Sequence, residues 1–141
     1  MPYAPYLMES KFKRELGELD KVLDFISDFT SALQVDESVR FSITLAVDEL
    51  FTNMVKYHPE STGDILLGLH QDGNRLMITL IDSDVEPFDV TKAKEVNLDL
   101  PLEERQGGGL GIHLVKRMVD EISYEYENRQ SKITLIKNLE K

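Results

Sequence analysis

The chain of 141 residues has the length of one ordinary domain, and we expect a single domain over residues 1–141. Its composition, with 41% hydrophobic and 30% charged residues, excludes a largely disordered protein. The formal net charge of −10 disfavours binding to nucleic acid or to an anionic membrane surface. Cysteine is absent, which excludes disulfides and thiolate chemistry, and no apolar run approaches the roughly 20 residues of a membrane span. We therefore expect a cytoplasmic protein.

The first part of the chain predicts two helices. Between residues 15 and 33, apolar side chains recur every three or four positions, which is the period of an amphipathic helix. Asp36 is a suitable N-cap for a second helix, which should run to about Tyr57 because Pro59 prevents its continuation.

A hairpin and a long connection should follow the helices. Residues 64–71 and 75–81 predict two strands, joined by a turn in which Gly73 supplies a positive φ. The segment 82–109 is rich in Asp, Glu, Pro and Gly and predicts a connection much longer than compact domains normally contain. Connections of this length are often functional.

The last part of the chain predicts one helix and two more strands. Helical spacing returns over residues 110–119, and residues 121–127 and 132–137 have strand-like patterns. Because the strands come in adjacent pairs, we expect an α+β fold with a mostly antiparallel sheet and helices on one face.

Two polar residues lie one turn apart on the predicted second helix. Helical geometry puts Glu49 and Asn53 at the margin of its apolar face, and the four-residue spacing makes their side chains neighbours. An amide oxygen is a suitable ligand for Mg²⁺, and an adjacent carboxylate can take a proton from a hydroxyl group or water. A solvated pair on a helix flank has the same pattern, so the pair alone assigns no function.

A second candidate site lies before the last helix. There Arg105 and Gln106 precede a glycine-rich segment that runs into the helix. Glycines let an anion approach the backbone, and a helix start offers N–H groups that have no partner within the helix. These features predict a phosphate site, with Arg105 adding a charge-assisted contact, although a flexible hinge is the alternative. The backbone of the predicted site is formed by Gly107, Gly108, Gly109, Leu110 and Gly111.

A third candidate lies at the end of the predicted hairpin. A carboxylate such as Asp82, just past a strand, can accept a hydrogen bond from an exocyclic amine like that of adenine. A solvated turn formed by Asp82, Ser83 and Asp84 is the alternative interpretation.

Taken together, the motifs resemble those of the histidine-kinase-like (GHKL) ATPase superfamily. The resemblance rests on Glu49-x-x-x-Asn53 on a helix, on the Asp turn that ends in Pro87-Phe88-Asp89, and on residues 101–115. It covers about residues 36–139, and within the superfamily the chain is most similar to bacterial anti-sigma-factor serine/threonine kinases.

This resemblance implies a two-layer Bergerat-type sandwich that binds ATP and Mg²⁺ and phosphorylates a serine of a small anti-anti-sigma protein. In that family the residue matching Glu49 is the general base, and the one matching Asn53 binds the metal. Residues 107–111 would hold the phosphates, and the residues between Glu86 and Gln106 would form a lid over the nucleotide. A sigma factor is a second implied partner and transcription regulation the implied process, while homodimer formation is left open.

The Asp turn departs from the family pattern, which is Asp-x-Gly-x-Gly/Pro-Phe. Counting back from Pro87 and Phe88 puts Ser83 at the Asp position and Val85 at the first Gly position. Counting forward from Asp82 requires one extra residue before Phe88. Neither count matches the pattern fully, so Asp82, Ser83 or neither of them contacts the base. The irregular turn also motivates a second hypothesis, a non-catalytic partner-binding module of the same fold with weakened or lost ATP binding.

Overall fold

Five segments form one antiparallel sheet in the computed structural model, which describes residues 6–57, 63–83, 85, 87 and 109–139. The order across the sheet is β1-β2-β3-β5-β4, and each of these neighbouring pairs is antiparallel. The predicted α+β class and antiparallel sheet are confirmed. The strands are β1 (Tyr6–Phe12), β2 (Ile65–Asp72), β3 (Arg75–Ser83), β4 (Glu121–Glu127) and β5 (Gln130–Asn138).

Three α helices pack with one face of this sheet. They are α1 (Leu19–Leu33), α2 (Glu37–Tyr57) and α3 (Gly109–Met118), and α2 contacts both of the others. Buried side chains alternate along β3, which shows that one face of the strand lies in the core. The core combines apolar residues of the three helices with those of this sheet face, including Phe29, Leu50, Leu80, Val115 and Leu135.

Two features of the first part of the chain differ from the prediction. Strand β1 has no counterpart among the predicted elements, because Glu9, Ser10 and Lys11 leave only a weak apolar alternation; pairing with β2 forms it. The first helix was predicted from residue 15, but the α helix begins at Leu19 after a single 3₁₀ turn. Leu16, which the helical pattern included, is 50% exposed.

Both hairpins turn through residues with positive φ. Gly73 has a φ of 60° between β2 and β3, as predicted. Between β4 and β5, Asn128 and Arg129 have φ values of 54° and 61°, which suit a two-residue turn between twisted strands. These turns set the strand register, which brings Ile65 opposite Asp82 and Asp82 opposite Ser131.

The connection between β1 and α1 is closed by a carboxylate. The Lys13 backbone N–H donates to Glu18 Oε1 at 3.1 Å, and the Glu18 backbone N–H donates to the Glu15 carbonyl at 3.0 Å. The ammonium nitrogen Nζ of Lys21 lies 3.0 Å from Glu18 Oε2. The hydrogen bond from Lys21, followed by that from the Lys13 backbone, lowers the pKa of Glu18 below its ordinary value of 4.5. The ionised carboxylate therefore holds this turn in place.

Replacement of Glu18 by Gln should make the stability of the fold less sensitive to acid. Because the pKa of Glu18 is lowered on folding, its ionised form stabilises the protein above about pH 4.5, and this contribution is lost as pH falls through the folded pKa. Urea unfolding should show a deficit for Glu18→Gln near about pH 7 that shrinks as the pH falls below about 4.5. Glu15→Gln, at an exposed position of the same turn, is the control. A deficit that stays constant with pH would contradict the assignment.

Candidate functional site

Helix α2 carries two of the predicted site residues at the edge of its buried face. Leu50 and Met54 are buried in the core, whereas Glu49 and Asn53 are half-buried. The predicted position of both polar residues at the margin of the apolar face is confirmed. Their four-residue spacing on a continuous helix puts a carboxylate and an amide side by side, partly shielded from solvent.

The amide nitrogen of Asn53 is not satisfied within the described part of the protein. Its Nδ2 atom is buried and has no hydrogen-bond partner there. An unpaired buried amide costs folding free energy, and such groups commonly mark a binding site. The unpaired nitrogen is a donor and fits an acceptor atom of a ligand, whereas the oxygen of the same amide is the kind of ligand that Mg²⁺ prefers.

Two neighbouring candidates lie on opposite faces of the sheet. Asp82 belongs to the buried positions of β3, on the face packed with the helices. Ser83 is the next residue along the strand, so its side chain points to the other face, where Gln130 Nε2 donates to its hydroxyl at 3.3 Å. The structure thus brings Asp82, and not Ser83, to the side of the sheet on which α2 lies.

The carboxylate of Asp82 is ion-paired with Arg14. Arg14 Nη2 donates to Asp82 Oδ1, and Arg14 Nη1 lies 3.4 Å from Asp82 Oδ2. The Asp82 side chain is 0% exposed and the Arg14 side chain 7% exposed. Arg14 Nη1 also donates to the Met54 carbonyl at 3.1 Å. Three separate elements, namely the β1–α1 connection, α2 and β3, therefore meet at this guanidinium group.

Arg14 was not among the residues predicted for the site. It lies in the charged run Lys13 to Glu15, which is typical of a solvated surface segment. The relevant information is the strand register, which aligns Phe12 with Ile65 and Ile65 with Asp82. Since Arg14 follows Phe12 by two residues, this alignment brings it to the end of β3. No local sequence signal identifies such a contact.

Val85, two residues after the end of β3, is hydrogen-bonded to the β4–β5 hairpin. The Val85 backbone N–H donates to the Arg129 carbonyl at 3.0 Å, and the Tyr126 hydroxyl donates to the Val85 carbonyl at 2.7 Å. Val85, the residue that one register assigned to a family glycine, is fully buried. These bonds attach Val85 to the β4–β5 hairpin.

The predicted phosphate segment is described only in part. Arg105, Gly107 and Gly108 lie outside the described residues, as does most of the predicted lid. Gly109, Leu110 and Gly111 form the first turn of α3, which packs against α2. The predicted entry of this segment into a helix is confirmed, and the first N–H groups of such a helix have no partner within it.

A recess of about 360 Å³ lies at the same end of the sheet as Asp82. Its lining includes Leu66, Ile81 and Ser83, whose positions in the strands alternate with the buried ones. Strand geometry therefore puts the recess on the sheet face opposite to α2, so it does not adjoin Glu49 and Asn53.

The described residues contain no group of three or more His, Cys, Asp and Glu side chains able to hold a metal ion. A Mg²⁺ ion that takes ligands from a nucleotide and from water needs only one or two protein ligands, so Asn53 suffices as a candidate. In the same part of the chain, no helix has the length and apolarity that crossing a membrane requires.

Comparisons with known proteins agree with this architecture. The sequence model of the family described as "Histidine kinase-like ATPase domain" matches residues 12–137. The serine/threonine-protein kinase BtrW of Bordetella bronchiseptica is 28% identical to this chain over 99 residues, which is 69% of each protein.

Solved structures with the same fold include the RsbU and RsbW domains of Rv1364c from Mycobacterium tuberculosis. This chain matches that structure with a TM-score of 0.69 at 17% identity, over 98% of its own length and 33% of the longer chain. The SiaB–SiaC complex of Pseudomonas aeruginosa matches with a TM-score of 0.64 at 10% identity, over 92% and 88% of the two chains. The histidine kinase AdeS of Acinetobacter baumannii matches with a TM-score of 0.57 at 15% identity, over 96% and 70%. From its sequence match and its fold, the chain belongs to the histidine kinase-like ATPase family.

Proposed function

We propose that this protein is an ATP- and Mg²⁺-dependent serine/threonine protein kinase that phosphorylates a small antagonist protein as part of an anti-sigma-type switch. The observation that carries the proposal is the pairing of Glu49 with Asn53 on α2, in which the buried amide nitrogen of Asn53 has no partner in the described part of the chain. The family match and the similarity to the kinase BtrW support it.

Each residue of the site has a distinct role in this proposal. Glu49 takes the proton of the attacking serine hydroxyl, and its half-buried position limits competition from water. Asn53 holds Mg²⁺ through its amide oxygen. When bound, ATP would supply the phosphoryl group and Mg²⁺ would neutralise part of its charge. The backbone of residues 107–111 and the Arg105 side chain bind the phosphates.

The partner is proposed to be a protein. One structure with this fold is a complex of SiaB with SiaC, and we propose that this chain likewise binds an anti-anti-sigma-type protein. The net charge of −10 favours a partner surface of basic character. A sigma factor is the second proposed partner, the cytoplasm the proposed location, and homodimer formation is compatible with the proposal.

A non-catalytic partner-binding module is the second candidate function. It is favoured by the ion pair of Asp82 with Arg14, which occupies the carboxylate that the family pattern assigns to adenine. Calorimetric titration with Mg²⁺ and ATP separates the two candidates. Absence of both heat and a thermal shift at millimolar nucleotide would favour the module.

Replacement of Glu49 by Gln should abolish phosphate transfer while leaving nucleotide binding intact. Loss of a general base lowers the rate by about 100-fold or more, whereas a Gln side chain keeps the size of the original. Transfer of labelled phosphate to the cognate antagonist protein measures the first effect, and calorimetry measures the second. Asp48→Asn, which alters the neighbouring carboxylate that accepts from Thr52, is the matched control and should retain transfer. Unchanged transfer in Glu49→Gln would remove Glu49 from this role.

Replacement of Asn53 by Ala should weaken Mg²⁺-dependent ATP binding without destabilising the free protein. Removing an amide whose nitrogen is buried and unpaired relieves a desolvation cost, so the melting temperature without ligand should stay the same or rise. The increase in melting temperature caused by Mg²⁺ and ATP should be lost. Thr52→Val, on the same helix, should keep that increase. A large loss of stability in ligand-free Asn53→Ala would instead indicate a structural role.

A further inference from the structure

The buried pair of Arg14 and Asp82 affects which bases a nucleotide site beside α2 could recognise. Both carboxylate oxygens of Asp82 face the guanidinium group of Arg14. The carboxylate is fully buried, and Arg14 is held in place by its second bond to the Met54 carbonyl. An acceptor that is already paired and neutralised is a poor partner for the amino group of a purine base.

Displacement of Arg14 by a base would be costly. Separating a buried ion pair leaves an uncompensated charge, which would reduce nucleotide affinity by about two to three orders of magnitude. Arg14 itself cannot accept from the amine. Its Nε atom is buried and has no partner in the described part of the chain, but it is a donor. The Asp82 carboxylate is therefore both ion-paired and buried, which makes it a poor acceptor for an exocyclic amine.

Strand geometry excludes the neighbouring residue as a substitute. Ser83 lies on the opposite face of β3 and accepts a hydrogen bond from Gln130 there. Val85, two residues further on, already uses its backbone N–H and its carbonyl in bonds to the second hairpin. The two positions suggested by the sequence as base contacts are thus either paired with Arg14 or directed away from α2.

We propose that Arg14 determines base specificity in this protein: it neutralises Asp82, so the nucleotide site does not select the 6-amino group of adenine over a 6-oxo group. This inference rests on the proposed function, because it requires a nucleotide site beside α2. Arg14 is a positioning residue here, since it acts on the base through Asp82. The ligand class is then a purine nucleoside triphosphate with Mg²⁺, with little discrimination at position 6 of the base.

Binding of ATP and of inosine triphosphate, which has a 6-oxo group, tests this inference without any catalytic step. Calorimetry with Mg²⁺ should give dissociation constants for the unaltered protein that agree within about threefold. In Arg14→Met the released carboxylate can accept from the amine of adenine and repels the oxo group. ATP should then bind about tenfold or more tightly than inosine triphosphate, as expected for a hydrogen bond to a charged group.

Two further variants test whether the change in base preference comes from the ion pair. Lys13→Met removes the neighbouring exposed cation and should leave the ratio of the two dissociation constants unchanged. Arg14→Lys keeps one positive charge and should give a ratio between those of the unaltered protein and Arg14→Met. It also provides a measurement if Arg14→Met fails to fold.

The outcomes distinguish this inference from the proposed function. A preference of about tenfold or more for ATP in the unaltered protein overturns the role of Arg14 and leaves the nucleotide site standing. An unchanged ratio in both Arg14 variants overturns it as well. If the unaltered protein binds neither nucleotide but Arg14→Met binds ATP preferentially, the role of Arg14 is supported. Absence of binding in the unaltered protein and in both Arg14 variants overturns the nucleotide site itself and the inference with it.

Discussion

Burial of one face of the five-stranded sheet against the helices is the constraint on which the other features depend. Along β3 it puts every second side chain into the core, and the last of these is Asp82. A carboxylate in an apolar core requires a paired charge. Arg14 supplies it, and the contact draws the β1–α1 connection against the end of the sheet. The same alternation directs Ser83 to the opposite face.

The ion pair also connects the fold with the candidate site. Arg14 Nη1 donates to the carbonyl of Met54, the residue that directly follows Asn53 on α2. Glu18 closes the turn that contains Arg14 through its bond with the Lys13 N–H. The charged groups of this short connection therefore hold together α2, which carries the proposed metal ligand, and the end of β3, which carries Asp82. A buried pair of this kind is weak evidence for stability, and its main effect is to specify an arrangement.

Stability and binding place opposite demands on α2. Its buried residues pack fully, whereas Asn53 leaves an amide nitrogen unsatisfied in the described structure. A ligand site commonly contains such a group, because a side chain satisfied within the protein is less available to a ligand. Glu49, one turn earlier, is half-buried and therefore partly shielded from water. The net charge of −10 is thus compatible with anion binding, which would rely on backbone N–H groups and a metal ion.

The sequence by itself determined the features that depend on local periodicity and turn chemistry. Helix α2 with Glu49 and Asn53 at its margin, the hairpin through Gly73 and the strand at residues 121–127 all follow from patterns of a few residues. The α+β class follows from the order of these elements. Strand β1 could not be predicted in this way, because its alternation is weak and its formation depends on pairing with β2.

Only the tertiary structure showed that Asp82, and not Ser83, lies on the sheet face packed with the helices, and that Arg14 pairs with it. A shift of one residue along a strand exchanges the two faces, and the ambiguous motif spacing contained no information about which face lies under α2. The pairing of Arg14 with Asp82 joins residues 68 positions apart in the chain. It arises from strand register and from the cost of burying an unpaired carboxylate, which are properties of the folded chain as a whole.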